Sequence, residues 1–178
     1  MFSWFLAELS RLIAVASPIL HRYGMWAVFA LVFVENLGVV FAPGESVVVA
    51  AGFLAAKGVF SVWVVLPLAM LAATLGSGIA YGIGARYGHK ALLRYGRYVG
   101  IRPPMVDRVH HFFQKFGPPV IVAGRFIVPL RQLQGYLAGS SEMGFPSFAV
   151  WSALGSVLWV LAWGGGAFWL AHRIPVGG

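Results

Sequence analysis

Two long stretches without a charged residue place the strongest constraint on how this chain can fold. Residues 58–85 and 143–171 contain no Asp, Glu, Lys or Arg. A helix needs about 20 apolar residues to cross a bilayer, and each stretch is longer than that. Both carry tryptophan near an end, which is typical of a helix anchored at the membrane interface. We therefore predict two transmembrane helices, at residues 58–85 and 143–172.

The composition of the whole chain also indicates that the protein lies in a lipid bilayer. Hydrophobic residues make up 60% of the 178 positions, and charged residues make up only 10%. A soluble chain of this length must cover its surface with charged side chains, and 13 basic plus 5 acidic residues are too few. The chain has no cysteine, which excludes disulfides, zinc–thiolate sites and a cysteine nucleophile. We expect an all-α integral membrane protein without a cofactor or a metal site.

Two charged segments flank or separate the apolar ones. Residues 1–22 carry Glu8 and Arg11 within an apolar helical pattern, which favours an interfacial helix over a cleaved signal peptide or a span. Seven of the 13 basic residues lie in residues 86–115. We expect this segment to be a basic amphipathic connector on an anionic leaflet, although a positive-inside topology signal accounts for it equally well. In both cases it is predicted to be cytoplasmic, and no nucleic-acid partner is expected.

Two further apolar stretches, residues 23–57 and 116–142, are interrupted by charges before they reach spanning length. A proline also breaks each of them, Pro43 in the first and Pro129 in the second. Half-length apolar pieces joined at a proline are what a hairpin requires if it enters and leaves the membrane by one face. Irregular backbone at membrane depth is tolerated only inside protein or beside a cavity. The tips of both predicted re-entrant hairpins should therefore face an internal site.

Each predicted hairpin is followed by a predicted span, so the chain reads as a repeat. A charged residue stands two positions after each proline, Glu45 in the first half and Arg131 in the second. Because the hairpins do not cross the membrane and one span separates them, they must enter from opposite faces. This is the inverted repeat seen in many secondary transporters. Chance similarity between two proline-containing turns is the alternative.

Four ionisable residues fall at membrane depth in these hairpins: Glu35, Glu45, Arg125 and Arg131. Each costs about 2.5–3.5 kcal/mol even on lenient insertion scales, so they must pair, lose their charge or face water. One interpretation is a buried ion-pair network that only pins the hairpins together. A functional site is favoured because the acids lie in one hairpin and the bases in the other, near the depth where transporters bind substrate.

The chemistry of these side chains predicts separate roles. The planar guanidinium groups of Arg125 and Arg131 match the geometry of phosphate, so we expect them to bind an anionic lipid phosphate. A carboxylate in a low-dielectric site takes up a proton more readily, so Glu35 and Glu45 are predicted to bind and couple protons. Neutral hydrogen bonds, to a ligand or to hairpin backbone, are expected from the following residues: Gln132, Gln134 and Tyr136.

The first predicted span is rich in glycine. Small residues four apart share one stripe of this helix: Gly76, Ala80, Gly84 and Gly88. Such a stripe lets helices approach closely, and we prefer this packing role over a phosphate-binding loop. Ser77 within the span suggests an intramembrane serine hydrolase. Because the second uncharged span offers no histidine partner, we expect no catalytic residue.

Several motifs occur together in a characteristic order. They are Glu35-Asn36, then Phe41-Ala42-Pro43-Gly44-Glu45, Tyr81 in the glycine-rich span, Gly124-Arg125-Phe126-Ile127-Val128-Pro129-Leu130-Arg131, then Ala138-Gly139 and Met143. Together these motifs resemble the bacterial DedA family of the SNARE-associated, or VTT, superfamily. The resemblance covers roughly residues 23–170.

The resemblance implies two opposed re-entrant hairpins and a non-enzymatic lipid translocase of the bacterial inner membrane. The implied substrate is undecaprenyl phosphate or a phospholipid, with a link to the proton-motive force. The family's important acids fall on Glu35 and Glu45, and its important arginines fall on Arg125 and Arg131. Residues that the motifs mark as supporting this site are Asn36, Pro43, Gly44, Tyr81, Pro129, Gln132 and Gln134.

The chain departs from the family pattern at two places. The family often has an acid where Ser77 stands, and often Gly-Arg where Gly84 and Ala85 stand, whereas this chain has Arg86 one place later. The roles of Ser77 and Arg86 are therefore left open. A proton-coupled transporter of a small cation or drug is the alternative function. The sequence does not determine the lipid or the oligomeric state.

Overall fold

The computed structural model describes residues 23–39, 44–95, 111, 115–141 and 143–173, with the side chains of 89–95 and 129 left aside. Within these ranges the chain forms helices and turns and no strand, which confirms the predicted all-α class. Three predictions lie outside the described residues, wholly or in large part. They are the interfacial helix at 1–22, Pro43, and most of the basic connector at 86–115.

In the described part of the chain, two short helices precede each of two long helical stretches. In chain order they are α1 Met25–Asn36, α2 Gly44–Ala56, α3 Val62–Tyr95, α4 Val120–Gly124, α5 Val128–Ser140, α6 Phe145–Val160, a π-helical turn Leu161–Gly165, and α7 Gly166–Arg173.

Two of the described stretches are long and apolar enough to cross a membrane. They are Val62–Gly88 within α3 and Phe145–Arg173, which joins α6, the π-helical turn and α7. We call them span 1 and span 2. Helix α3 continues past the predicted end at Ala85, but Gly88 adopts φ 67° and interrupts the helical geometry. Glycine reaches this left-handed region without a steric penalty, so the polypeptide changes direction where the basic segment begins.

The two spans lie antiparallel. Tyr81, near the end of span 1, donates a hydrogen bond of 2.6 Å to the carbonyl of Met143, just before span 2 begins. In the middle, the hydroxyl of Thr74 donates to that of Ser156 at 3.0 Å. Toward the other end, Leu66 packs against Gly164. The start of each span therefore lies beside the end of the other.

The four shorter helices pack on the spans in a symmetric pattern. The first arm of each pair, α1 or α4, packs on the span that follows it in its own half, α3 or α6. The second arm packs on the span of the other half, α5 on α3, and α2 on α7 and the π-helical turn. Antiparallel spans and exchanged second arms are what an inverted repeat requires. Entry and exit of each hairpin by one membrane face stays a prediction.

Close contacts at glycine hold the second arms in place. A Cβ at Gly84 would collide with the carbonyl of Tyr136, and one at Gly139 would collide with the carbonyl of Tyr81, so α5 lies directly against α3. In the other half, a Cβ at Gly52 would collide with the carbonyl of Gly164. A Cβ at Gly76 would collide with the carbonyl of Phe33 in α1, so the stripe of span 1 packs on α1 and α5 at Gly76 and Gly84, whereas a Cβ at Gly88 would meet nothing within 4 Å.

Candidate functional site

The predicted charged residues lie where helices end or begin. Glu35 is the penultimate residue of α1, and Glu45 is the second residue of α2. Arg125 directly follows α4, and Arg131 lies in the first turn of α5. Glu35 and Arg131 are 96 positions apart in the chain, and the packing of their helices brings the two side chains into contact. The structure thus places all four in one region.

Arg131 carries the ionic contacts of this region. Its Nη2 lies 2.7 Å from Oε1 of Glu35, and both side chains are almost fully buried. The same Nη2 lies 3.9 Å from Oε2 of Glu45, whose side chain is 35% exposed. Arg131 therefore has one close, enclosed acid and one more distant acid that remains accessible from outside.

Gly44 explains how the Glu35 carboxylate reaches its position. A Cβ at Gly44 would collide with Oε2 of Glu35, so the carboxylate lies directly against the first residue of α2. The amino end of a helix carries partial positive charge and favours an anion nearby. Oε2 has no hydrogen-bond partner in the described part of the chain. The carboxylate of Glu35 is thus held by Arg131 on one oxygen only.

Arg125 is fully buried, and its side-chain hydrogen bonds with the described residues all go to neutral groups. Its Nη1 donates to Oδ1 of Asn36 at 3.1 Å, and its Nη2 donates to the hydroxyls of Ser77 at 3.0 Å and Ser152 at 2.9 Å. No carboxylate of the described residues lies within salt-bridge distance of it. Arg125 therefore ties α1 and both spans to the break between α4 and α5.

The two arginines belong to one connected group. Nη1 of Arg131 lies 3.4 Å from the carbonyl oxygen of Arg125, and Asn36 directly follows Glu35 in α1. We call this group the polar centre and define it by Glu35, Asn36, Glu45, Ser77, Arg125, Arg131 and Ser152. Its contacts with Ser77, in the inner part of span 1, and with Ser152, in the first half of span 2, place it between the two spans.

The predicted supporting residues have different positions. Gln134 lies one turn beyond Arg131 on α5, and both polar atoms of its buried amide lack a partner within the described ranges. Gln132 is buried too, and its backbone carbonyl lies against Gly38. Tyr81 does not reach the polar centre and instead anchors the start of span 2. Pro129 is the second residue of α5, whereas Pro43 lies outside the described residues.

Tyr136 and three span residues complete the surroundings. The hydroxyl of Tyr136 donates to the carbonyl of Leu37, which joins α5 to the end of α1. Ser152, Ser156 and Trp159 were not singled out from the sequence. Ser152 and Ser156 are four residues apart on one helix face, and Trp159 stands far from either end of its span, where an interface anchor would not lie. These two signals were available in the sequence.

Membrane-length helices that enclose ionisable side chains define the class of this molecule as an integral membrane protein with a buried polar centre. The model of the VTT domain matches residues 42–166. Protein DedA of Escherichia coli (strain K12) is 31% identical over 152 residues, which cover 82% of this chain and 69% of DedA. The chain therefore belongs to the DedA family of VTT-domain membrane proteins.

Two further relatives support this assignment. Inner membrane protein YqjA of Escherichia coli (strain K12) is 31% identical over 150 residues, which cover 83% of this chain and 67% of YqjA. An uncharacterized membrane protein of Mycobacterium leprae is 35% identical over 135 residues, which cover 75% of this chain and 60% of that protein. These names describe membrane proteins and not enzymes. No solved structure matches the chain.

Proposed function

We propose that this protein moves an anionic lipid, undecaprenyl phosphate or a phospholipid, across the bacterial inner membrane. The observation that carries the proposal is the buried contact of Arg131 with Glu35, beside the more accessible Glu45. A phosphate presents the same fork of anionic oxygens to a guanidinium as a carboxylate does. The lipid phosphate can therefore replace Glu35 on Arg131.

Proton uptake gives this exchange a direction. A carboxylate that gains a proton loses its charge and most of its attraction to a guanidinium. Protonation of Glu35 would release Arg131 to the phosphate, and departure of the phosphate would favour the ionised carboxylate again. Glu45 lies at the accessible edge of the polar centre, so we assign it the exchange of protons with the outside. The two acids thus couple proton movement to lipid movement.

Arg125 has a separate part in this proposal. Its Nη atoms already donate to Asn36, Ser77 and Ser152, so a phosphate would need to break buried hydrogen bonds to reach them. We therefore assign the direct phosphate contact to Arg131. Arg125 adds a fixed positive charge close to the phosphate, and its hydrogen bonds hold α1 and both spans together.

The surface beside Arg131 suits an amphiphile better than a hydrated ion. Between the two arginines, at the break of the second hairpin, three consecutive apolar side chains are exposed: Phe126, Ile127 and Val128. An apolar surface next to a phosphate-binding arginine can receive the acyl or prenyl chain while the headgroup enters the polar centre. This observation favours a lipid over the small cation or drug of the alternative hypothesis. We expect the basic segment at 86–115 to face the cytoplasm.

Reconstitution in liposomes tests the proposal. We expect the wild-type protein to move a fluorescent phospholipid or a polyprenyl phosphate between leaflets, Arg131→Ala to abolish this movement, and Glu35→Gln to remove its dependence on pH. Arg173→Ala is the matched control, because it removes an exposed arginine at the far end of span 2. Movement equal to that in empty liposomes, or unchanged movement with Arg131→Ala, would overturn the proposal. Lipid-independent cation flux that Glu45→Gln abolishes would support the alternative.

A further inference from the structure

Trp159 lies in the middle of span 2 and faces the polar centre. It is the largest fully buried side chain among the described residues. The guanidinium carbon of Arg131 lies 4.7 Å from the centroid of its indole ring. A guanidinium over an aromatic face is attracted to the ring, and this attraction increases when both groups are removed from water. The ring therefore helps to hold the Arg131 guanidinium in its place.

Two N–H donors remain unused at this contact. The indole Nε1 of Trp159 and the Nε of Arg131 are both buried, and neither has a hydrogen-bond partner within the described ranges. A buried donor without an acceptor is unfavourable, because it has lost its hydrogen bonds to water. Packing and the cation–π contact need only the ring, so phenylalanine would serve them without that cost. The indole N–H thus calls for an acceptor that the described chain does not supply.

Both terminal nitrogens of Arg131 already make a contact with described residues. Nη2 contacts Glu35, and Nη1 lies 3.4 Å from the carbonyl of Arg125. Nε, in contrast, has no hydrogen-bond partner among the described residues, so its N–H is available to a ligand. An oxyanion, with several oxygens around one centre, can accept from two neighbouring N–H groups at once.

We propose that Trp159 is a recognition residue, and that its indole N–H and Nε of Arg131 together form an oxyanion subsite for a phosphate ester. This inference rests on the proposed function and extends it. The proposed function places the phosphate on Arg131 alone and gives span 2 no contact with substrate. In the oxyanion subsite, span 2 supplies a direct hydrogen bond to the phosphate, and the indole ring orients the arginine that shares it.

The local backbone of span 2 fits this role. The π-helical turn Leu161–Gly165 begins two residues after Trp159, and such turns often occur at functional sites. Within it, the carbonyl of Gly164 lies so close to Gly52 of α2 that no Cβ could stand there. Helix α2, which carries Glu45, and the segment that follows Trp159 are thus packed together without intervening side chains.

Binding measurements in detergent test the inference, with farnesyl phosphate as the probe and farnesol as its uncharged counterpart. We expect the wild-type protein to bind farnesyl phosphate more tightly than farnesol. Trp159→Phe keeps the ring and removes the N–H, and it should weaken farnesyl phosphate binding roughly tenfold or more, the loss expected for a hydrogen bond to a charged group. Trp163→Phe is the matched control, because it makes the same change at a more exposed tryptophan of the same span.

A second measurement covers the case in which Trp159→Phe is unstable. In the ¹⁵N-labelled wild-type protein, the indole N–H signal of Trp159, assigned by sequential assignment of the wild type, should shift when farnesyl phosphate or inorganic phosphate is added. Equal affinity of Trp159→Phe and wild type, or an unmoved indole signal while wild type binds, overturns the inference and leaves the proposed function standing. Failure of the wild type to bind either phosphate probe overturns both.

Discussion

At the scale of single residues, the two buried arginines differ in what surrounds them. Arg131 meets two acids, one of them partly exposed, whereas Arg125 is enclosed by the neutral oxygens of Asn36, Ser77 and Ser152. A charged group that is buried among neutral acceptors depends on every hydrogen bond it makes. Arg125 is therefore suited to a fixed position, and Arg131 to an exchange of partners. Ser77, whose role the sequence left open, is one of the acceptors on which Arg125 depends.

Removal of one acceptor from Arg125 gives a direct test at this scale. We expect Ser77→Ala to lower the free energy of unfolding by about 1–3 kcal/mol, because Nη2 of Arg125 loses one of its two acceptors in a buried site. For a chain of this length that corresponds to a fall in Tm of several degrees, measured by circular dichroism in detergent. Ser140→Ala is the control, because that hydroxyl donates only to Leu137 within its own helix. Equal Tm values for the two variants would contradict the assignment.

At the scale of helices, glycine decides how closely the second arms approach the spans. Gly84 and Gly139 bring α3 and α5 into direct backbone contact, and Gly52 and Gly164 do the same for α2 and the π-helical turn. In lipid the association of helices depends on such close packing, since the hydrocarbon around them is as apolar as their own side chains. The position of Arg131, in the first turn of α5, follows from this contact.

Two glycines of α3 provide a matched pair. A Cβ at Gly84 would collide with the carbonyl of Tyr136, whereas a Cβ at Gly82 would have nothing within 4 Å. We expect Gly84→Ala to lower the free energy of unfolding by about 1–3 kcal/mol, the usual cost of overpacking. Gly82→Ala should cause no loss, because alanine is the better helix former. Thermal unfolding in one detergent compares them, and the same change for both would show that α5 does not pack on this face of α3.

At the scale of the whole molecule, the antiparallel spans and the exchanged second arms organise the chain around the polar centre. Both helices of each hairpin have one end at the polar centre, so four short helices contribute a terminus to it. Polar groups at membrane depth are stable only when protein surrounds them, and the first hairpin contributes the buried Glu35 and Asn36 to this centre while the second contributes the buried Arg125 and Arg131. The polar centre and the inverted arrangement therefore depend on each other.

The antiparallel arrangement predicts which positions share a membrane face. Cysteine introduced at Ser61 or His172, before span 1 and at the end of span 2, should react with an impermeant maleimide from one side of the membrane. Cysteine at Tyr87 or Gly144 should react only from the other side. All four residues are exposed, and the chain contains no native cysteine. Labelling of Ser61→Cys and Tyr87→Cys from the same side would exclude a spanning α3.

The sequence by itself determined the class of the molecule and the residues that matter most in its interior. The cost of a charge in hydrocarbon and the length of an uncharged run are local properties, so the all-α class, the two spans and the four charged residues at membrane depth could be predicted directly. The family motifs supported the same residues. The interfacial helix at 1–22 and most of the connector at 86–115 lie outside the described residues and stay predictions.

Only the tertiary structure decided which side chains meet. That Arg131 contacts Glu35 and Glu45, while Arg125 contacts neutral oxygens, depends on how helices far apart in the chain pack across the two spans. No periodicity along one helix contains that information. Trp159 is the clearest example, because nothing in the sequence shows which residue an aromatic ring in an uncharged span will contact. It contacts the polar centre because the packing of α5 against the spans brings Arg131 over its face.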